Sequence, residues 1–458
     1  MPKKKTALTI EERLQQALVP AEEQPYEVPE NWVWVRLGEV NKYISKSVNP
    51  ISEPDKIFEL YSVPSMVDNY PEIIAGSDIG SSKQSVCKKD VLLCKINPRI
   101  NRVWKVSQFT DNELIASSEW IIIRNNHIDA NYLMYCFQSK YFREFMLSNV
   151  SGVGGSLMRA QPKYVQTYPI PLPPLSEQQR IVERIEELFA KLDEAKERLQ
   201  EVADSFAVRK AAILHKAFTG ELTKQWRLEN GVSDESWEES NLGSFIACGP
   251  QNGLYKPKSS YGDGIRIIRI DAFYDGVIEQ WDELKRLRLD ENEIECYSLN
   301  LNDILINRVN SMQYLGKSAL VRELKDICVF ESNIMRLSVD ESRIYPEFLI
   351  SFLNSQMGLN ELRKNAKQAV NQASINQQDI KNVIINLPTL PEQHEIVRLI
   401  DDLLARERAA QQATEQALAS IDLMKKSILA RAFRGELGTN KASEASALEL
   451  LKQVLAEN

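Results

Sequence analysis

The chain has 458 residues, 43% hydrophobic and 26% charged, with Lys+Arg 56 against Asp+Glu 64 and a formal net charge of -8. This balance describes a globular chain with room for two or three cored domains, and it excludes a disordered or fibrous polymer. No apolar run reaches the roughly 18 residues of a membrane span, no signal core follows the basic N-terminus, and the six cysteines form no Cys-x-x-Cys pair, so a cytoplasmic protein with free buried thiols is expected.

In chain order, residues 1–30 read as an N-terminal extension with a short helix over 9–18, opened by Thr9 and Glu12 at capping-box spacing. Residues 31–172 then carry short β-branched and aromatic runs at 32–35, 91–93 and 120–123, which are strand signals, and an aromatic-rich helical stretch over 131–147. The module is α+β, a small curved sheet with a few helices on it. It is mildly basic, which softens the argument that net acidity makes against a nucleic-acid partner.

Residues 173–222 form a long helix. Ser176 and Gln179 open it at capping-box spacing, and Ile181, Ile185, Leu188, Leu192, Ala195, Leu199, Val202 and Phe206 recur in alternating steps of four and three, a heptad seam. About 40 helical residues extend on the order of 60 Å, more than one domain's core requires, so the helix reads as a spacer. An acidic linker over 223–240 leads to a second α+β module at 241–387, with strand signals at 265–268 and 304–306 and a helical stretch at 346–362. Residues 388–437 repeat the long helix, its seam at Ile396, Ile400, Leu403, Ala410, Thr414, Ala417, Ile421 and Ile428, with Glu407 where the first copy has Leu192. The tail 438–458 includes an amphipathic stretch with Leu448, Leu451 and Leu455 on one face.

The two halves are copies. Leu172-Pro173-Pro174-Leu175-Ser176-Glu177-Gln178 returns as Leu387-Pro388-Thr389-Leu390-Pro391-Glu392-Gln393, and Ala217-Phe218-Thr219-Gly220-Glu221-Leu222 returns as Ala432-Phe433-Arg434-Gly435-Glu436-Leu437, at one constant separation. Trp32, Leu37 and Gly38 correspond to Trp237, Leu242 and Gly243, and Asp90, Lys95 and Asn97 to Asp303, Arg308 and Asn310, at slightly smaller separations. Each half is therefore a variable module followed by a constant helix. The two helices can satisfy each other's seams as an antiparallel pair.

Candidate contacts to nucleic acid fall in two clusters per module. In the first they are Lys95, Asn97, Arg99, Asn101 and Arg102, then Gly154, Gly155, Ser156, Arg159 and Lys163; in the second, Asn307, Arg308, Asn310 and Gln313, then Gln368, Asn371 and Gln372, with Lys256 and Lys258 added. Glycine amides suit close approach to phosphate, and guanidinium and amide side chains suit base edges. A solvated, mobile loop would carry the same composition. No phosphate-binding Gly-x-x-x-x-Gly-Lys-Ser/Thr loop and no Asn-Pro-Pro-Tyr is present. Asp271, Asp275, Glu283 and Lys285 leave a metal-dependent nuclease as one alternative, without a counterpart in the first half, and a purely structural coiled-coil adaptor is another. No metal site is expected.

The repeated Leu-Pro-x-Leu-x-Glu-Gln helix openings, each following a variable module, closely resemble the specificity subunit of type I restriction-modification systems, over about residues 31–437. The resemblance implies two target recognition domains, each reading one half of a bipartite, asymmetric double-stranded DNA site, with the helices setting the unread gap. It further implies a subunit without catalytic residues or cofactors of its own. Two methyltransferase subunits using S-adenosylmethionine, and restriction subunits using ATP and magnesium, would be its partners. The expected fold is thus two similar mixed α/β domains joined by two long helices in an antiparallel coiled coil, related by a pseudo-two-fold repeat.

Overall fold

The structure is a computed structural model that describes residues 8–152, 158–274, 276–279, 281–370 and 372–456. It divides into two compact units, one of residues 1–199 with 416–458, the other of residues 200–415. Each unit thus takes one variable module, the start of the long helix that follows it, and the end of the other long helix. The helices are Leu175–Phe218 and Leu390–Ala432.

In the first unit the antiparallel strands Val103–Lys105, Val91–Cys94 and Trp120–Ile123 form one sheet. All four residues of Val91–Cys94 and of Trp120–Ile123 are buried, as their unbroken apolar runs require. A five-stranded mixed sheet adds Ser47–Val48, Lys83–Ser85, Glu113–Ala116, Ile57–Tyr61 and Glu72–Ala75 in that order. The base of the module is the antiparallel pair Val33–Arg36 with Pro169–Leu172, which delivers the chain into the long helix. The second unit repeats the plan: Ile304–Asn307 lies between Ser318–Leu320 and Ile334–Val339, and Glu238–Asn241 pairs with Ile384–Leu387.

The helical stretch of each module is two helices. Ala130–Gln138 and Lys140–Ser148 break at Ser139, and Pro346–Leu353 and Gln356–Arg363 break at Ser355. Each serine hydroxyl turns back on a carbonyl of the preceding helix, Cys136 (2.5 Å) and Phe352 (2.6 Å), and Ser355 also caps the next helix through the Gly358 N–H.

The long helices run antiparallel in both units. In the first, Asp193 meets Lys425 at 2.5 Å and Lys196 meets Asp422 at 3.8 Å, so ascending numbers on one helix pair with descending numbers on the other. In the second, Arg209 Nε lies 2.9 Å from Glu407. That pair accounts for the departure in the repeat: the positions matching Arg209 and Glu407 are Met424 and Leu192, so both members are charged in one copy and both apolar in the other. Ile181, Ile185, Phe206, Ile396, Ile400 and Ile421 are buried, and Leu188, Leu192, Leu199, Leu403 and Ile428 partly so. Val202 is not on the seam. It is 42% exposed, and Ala203 takes the half-buried position. A 3.6-residue turn drifts about 20° per heptad against a strict seven-residue repeat, so three heptads past Ile181 the covered line has moved on by one residue.

The first and last helices pack in the first unit. The helix Ile10–Ala17 has the Thr9 and Glu12 capping box, and Arg13 reaches the Leu455 carbonyl of the helix Ala447–Ala456 (2.9 Å). Leu450, Leu451, Val454 and Leu455 are buried against that unit's core, while Leu448 is half covered. Residues 223–240 are mostly exposed but not without structure. Lys224–Asn230 is a helix whose Arg227 is 6% exposed, because its charge is matched inside the second unit. Three of the six thiols, Cys87, Cys248 and Cys296, are exposed rather than buried, lying in a loop, on an edge strand and on the short helix Glu291–Tyr297.

Candidate nucleic-acid interface

The repeated helix opening is an anchor. Pro174 lies between the strand, which ends at Leu172, and the helix, and its carbonyl accepts the N–H groups of Glu177 and Gln178, so the proline carbonyl rather than Ser176 caps the helix. The Gln178 amide donates to the Pro173 carbonyl (2.9 Å) and accepts the Asp129 N–H (2.8 Å); Gln393 donates to Pro388 (2.9 Å) and accepts the Tyr345 N–H (2.7 Å). Each glutamine ties its helix to the first helix of its own module.

The neighbouring glutamates are fully buried. Glu177 accepts from the Trp32 indole (2.8 Å) and Asn440 (2.9 Å), and burial pushes its carboxyl above the usual range. Glu392 Oε1 accepts from Trp237 (3.1 Å), Thr223 (2.6 Å) and Arg227 (2.6 Å). In both units the indole marks the start of the module. The other donors come from just beyond the end of the opposite long helix, where Gly220 and Gly435, at φ near 75°, turn the chain in the left-handed region. The Leu-Gly pair is likewise structural. Leu37 and Leu242 are buried, and a Cβ on Gly38 or Gly243 would press on Gln166 (2.9 Å) or Lys381 (3.1 Å).

Asp90 and Asp303 fix the turn into the central strand. Asp90 accepts the Cys87 N–H and a two-point contact from Arg124 (2.7 and 2.6 Å), and Asp303 accepts the Asn300 N–H (2.8 Å). The central strand leaves this turn and runs on into the candidate residues.

Here the two clusters of each module come together. Ala160 donates its N–H to the Lys95 carbonyl (2.8 Å) and Asn97 donates to Met158 (2.8 Å). At the matching place Ile375 donates to Arg308 (3.0 Å), and Val309–Asn310 pairs with Gln372–Ser374, which in turn pairs with Lys367–Ala369. In both units, then, a β-hairpin is stitched onto the loop that ends the central strand. Asn97 and Asn101 sit in the left-handed region at φ 46° and 50°, as asparagine tolerates.

The candidates divide by what their side chains already hold. Asn101 donates to the Gln138 carbonyl (3.1 Å), Arg159 lies 3.3 Å from Glu119, and Lys256 lies 2.5 Å from Glu293. The backbone carbonyls of Arg99 and Gln313 accept from Arg143 and Arg363, which pins those loops to helices. Arg102 opens the return strand, its carbonyl accepting the Cys94 N–H (3.0 Å). Lys163 stands over the Tyr164 ring (4.7 Å), and Lys258 lies in the short helical turn Lys258–Ser260. Gln368 and Gln372 are exposed on the second hairpin. Asn97 and Asn307 each have a buried Oδ1 without a partner among the described residues. Gly154, Gly155, Ser156 and Asn371 lie outside the described residues.

One feature the sequence did not single out is a polar cleft of about 420 Å³ in the second unit, lined by Asn252, Arg308, Asn376, Gln377, Gln378 and Lys381. Asn252 ends a strand and Lys381 a short helix, so neither belongs to a visible motif. Asn376 is occupied in capping that helix through the N–H groups of Gln378 and Asp379. The carboxylates of the nuclease alternative behave differently. Asp271, Glu279 and Glu283 line a cleft of about 140 Å³ with Arg269 and Lys285, Asp275 lies outside the described residues, and among the described residues no group of three or more His, Cys, Asp or Glu is placed to hold a metal ion.

The family model for the type I restriction modification DNA specificity domain matches this chain twice, at residues 29–204 and 234–418. The chain belongs to that family. It is 33% identical over 341 residues to the type I restriction enzyme StySPI specificity subunit of Salmonella potsdam, covering 72% of each chain. It is 28% identical, over the same shares, to the EcoKI specificity subunit of Escherichia coli (strain K12). In fold it is similar to the HsdS subunit from Thermoanaerobacter tengcongensis, with a TM-score of 0.64 and 24% identity over 90% of this chain and 99% of that one. A chain from a type I R-M system, solved for its complex assembly and conformational transition, gives 0.68 and 23% over 90% and 100%. These relatives do not support the nuclease or adaptor alternatives.

Proposed function

We propose that this chain is the non-catalytic, DNA-reading specificity subunit of a type I restriction-modification complex. Each module reads one half of a bipartite double-stranded DNA site, and the long helices set the unread gap. The observation that carries this reading is the hairpin seated on the end of the central strand, built by the same backbone bonds in both units with different side chains beside it: Lys95 after the central strand and Lys163 in the short helix that follows the hairpin in one, Arg308 and Gln378 at the matching places in the other. One scaffold presenting two unlike polar surfaces is what an asymmetric two-part site requires.

The constant anchors around Glu177 and Glu392 give the chain two equivalent faces for two copies of one methyltransferase subunit, with restriction subunits joining the assembly. S-adenosylmethionine, ATP and magnesium belong to those partners, and the complex works in the cytoplasm. Among the described residues no helix is long and apolar enough to cross a membrane.

Four residues added within 190–205, together with four within the matching 405–420 so that the antiparallel contacts are kept, lengthen both helices by about 6 Å, close to two base pairs of DNA rise. Sequencing of the methylated sites should then show both half-sites intact and the gap longer by about two base pairs. An unchanged gap would contradict the spacer role.

A further inference from the structure

We infer that Arg308 is a guanine-reading residue, the specificity determinant of the second module, and that Lys381 on the same cleft is a phosphate contact. The inference rests on the DNA-reading function proposed above and assigns chemistry to individual side chains within it.

The backbone of Arg308 is held from both sides. Its N–H donates to the Asn333 carbonyl (2.8 Å), and its own carbonyl accepts the N–H of Ile375 at the foot of the hairpin (3.0 Å). One end of the guanidinium is also fixed, NH1 donating to the Ser332 carbonyl (3.0 Å). The NH2 end makes no hydrogen bond among the described residues and no carboxylate lies within ion-pair distance of Arg308 among them, while Nε is buried and unpartnered behind it. A planar fork with its orientation set and part of its donor set unused is a preorganised hydrogen-bonding group.

The lining of the cleft decides between base and phosphate. Arg308 is half-buried; Asn252, Gln377, Gln378 and Lys381, which line the cleft with it, are exposed, and Lys381 is the only other cation among the described residues that line it. Amides add nothing to phosphate neutralisation, whereas they complement base edges, and a guanidinium pairs in two-point fashion with guanine O6 and N7. Lys381, a flexible point charge at the rim with no ion pair among the described residues, suits the backbone. In the first module the matching positions are Lys95 for Arg308, Gln161, Pro162 and Lys163 for 376–378, and Gln166 for Lys381. That different set would read a different half-site.

The test uses the full-length chain in its methyltransferase complex and a panel of duplexes carrying every single-base change in both half-sites. For Arg308→Ala the expected result is a loss of roughly 10- to 100-fold on the cognate duplex, confined to one guanine-containing position of one half-site, at which the variant no longer discriminates. Arg308→Gln should shift preference at that position from guanine to adenine, a gain that misfolding cannot produce. Lys381→Ala should weaken binding about equally on all duplexes and reduce the salt slope by about one. Should Arg308→Ala instead weaken every duplex alike with a reduced salt slope, Arg308 is a phosphate contact and the assignment is overturned; unchanged discrimination with both variants overturns it too. A wild-type complex without any bipartite preference would contradict the proposed function itself, which is a separate and distinguishable result.

Discussion

Removing Arg227 should unfold the second unit selectively. Its guanidinium donates to Glu392 (2.6 Å), Thr223 (3.1 Å), the Gly220 carbonyl (2.9 Å) and Asp234 (2.9 Å), and Glu392 is fully buried. In Arg227→Met the side chain keeps its bulk, but Glu392 becomes a buried carboxylate with only Thr223 and the Trp237 indole left as donors. Breaking one side of a buried pair in this way costs about 3–5 kcal/mol. Asp234, largely exposed, adds little, because water replaces the lost partner. Hydrogen exchange followed by mass spectrometry reads the effect with an internal control. Protection in the strands Glu238–Asn241 and Ile384–Leu387 and at the start of the second long helix should fall by roughly 150- to 5,000-fold, while Val33–Arg36 and Pro169–Leu172 of the first unit keep theirs. Adding Glu392→Gln to Arg227→Met removes the stranded charge and should restore much of the loss. Equal loss in both units, or no rescue by the second substitution, would refute the reasoning.

The matching glutamate of the first unit accepts no hydrogen bond from an arginine among the described residues, only the longer-range pull of Arg180, and should respond to pH. The folded pKa of Glu177 is raised by burial, so the folded state holds its proton more tightly than the unfolded chain. That contribution is fully present below the ordinary value of 4.5 and is lost as pH rises through the folded pKa. Glu177→Gln keeps an acceptor for Trp32 and should flatten this part of the stability profile of the first unit, measured by exchange from pH 4.5 upward; an unchanged profile would count against the account. On the helix pair, exchanging charges as Arg209→Glu with Glu407→Arg should retain most of the stability that either single change loses, with a coupling of about 0.2–1 kcal/mol expected for a partly exposed pair. Thermal unfolding of the four proteins in a double-mutant cycle checks it, and additive losses would show that the pair is not coupled.

Much of this was legible in the residues. Trp120–Ile123 is an unbroken apolar run and became a strand with those bounds, and Thr9 with Glu12 made the capping box that their spacing announces. What periodicity could not supply was the partner across the fold. Glu392 reads as an ordinary first-turn acid, and Arg227 as part of an acidic linker, until the fold brings these two segments, far apart in sequence, to 2.6 Å. The helix breaks at Ser139 and Ser355 were hidden because serine is compatible with helix and with cap alike. Val202 was misplaced because a strict seven-residue repeat ignores the drift of a straight helix. For the candidate interface, Lys95 with Asn97 and Arg308 with Asn310 stood out by their repetition. The cleft around Arg308 did not, since Asn252 and Lys381 join it only through the turn that ends a strand and the short helix beyond the hairpin.

The central claim is that one chain with two unlike reading heads specifies one two-part site. Genome-wide methylation sequencing of cells carrying the complete system, compared with cells lacking only this chain, tests it directly. The expected result is a single motif of two dissimilar half-sites separated by a fixed unread gap, methylated in every copy and lost when this chain is absent. Methylation that persists without the chain, or that follows one continuous or palindromic motif, would contradict it.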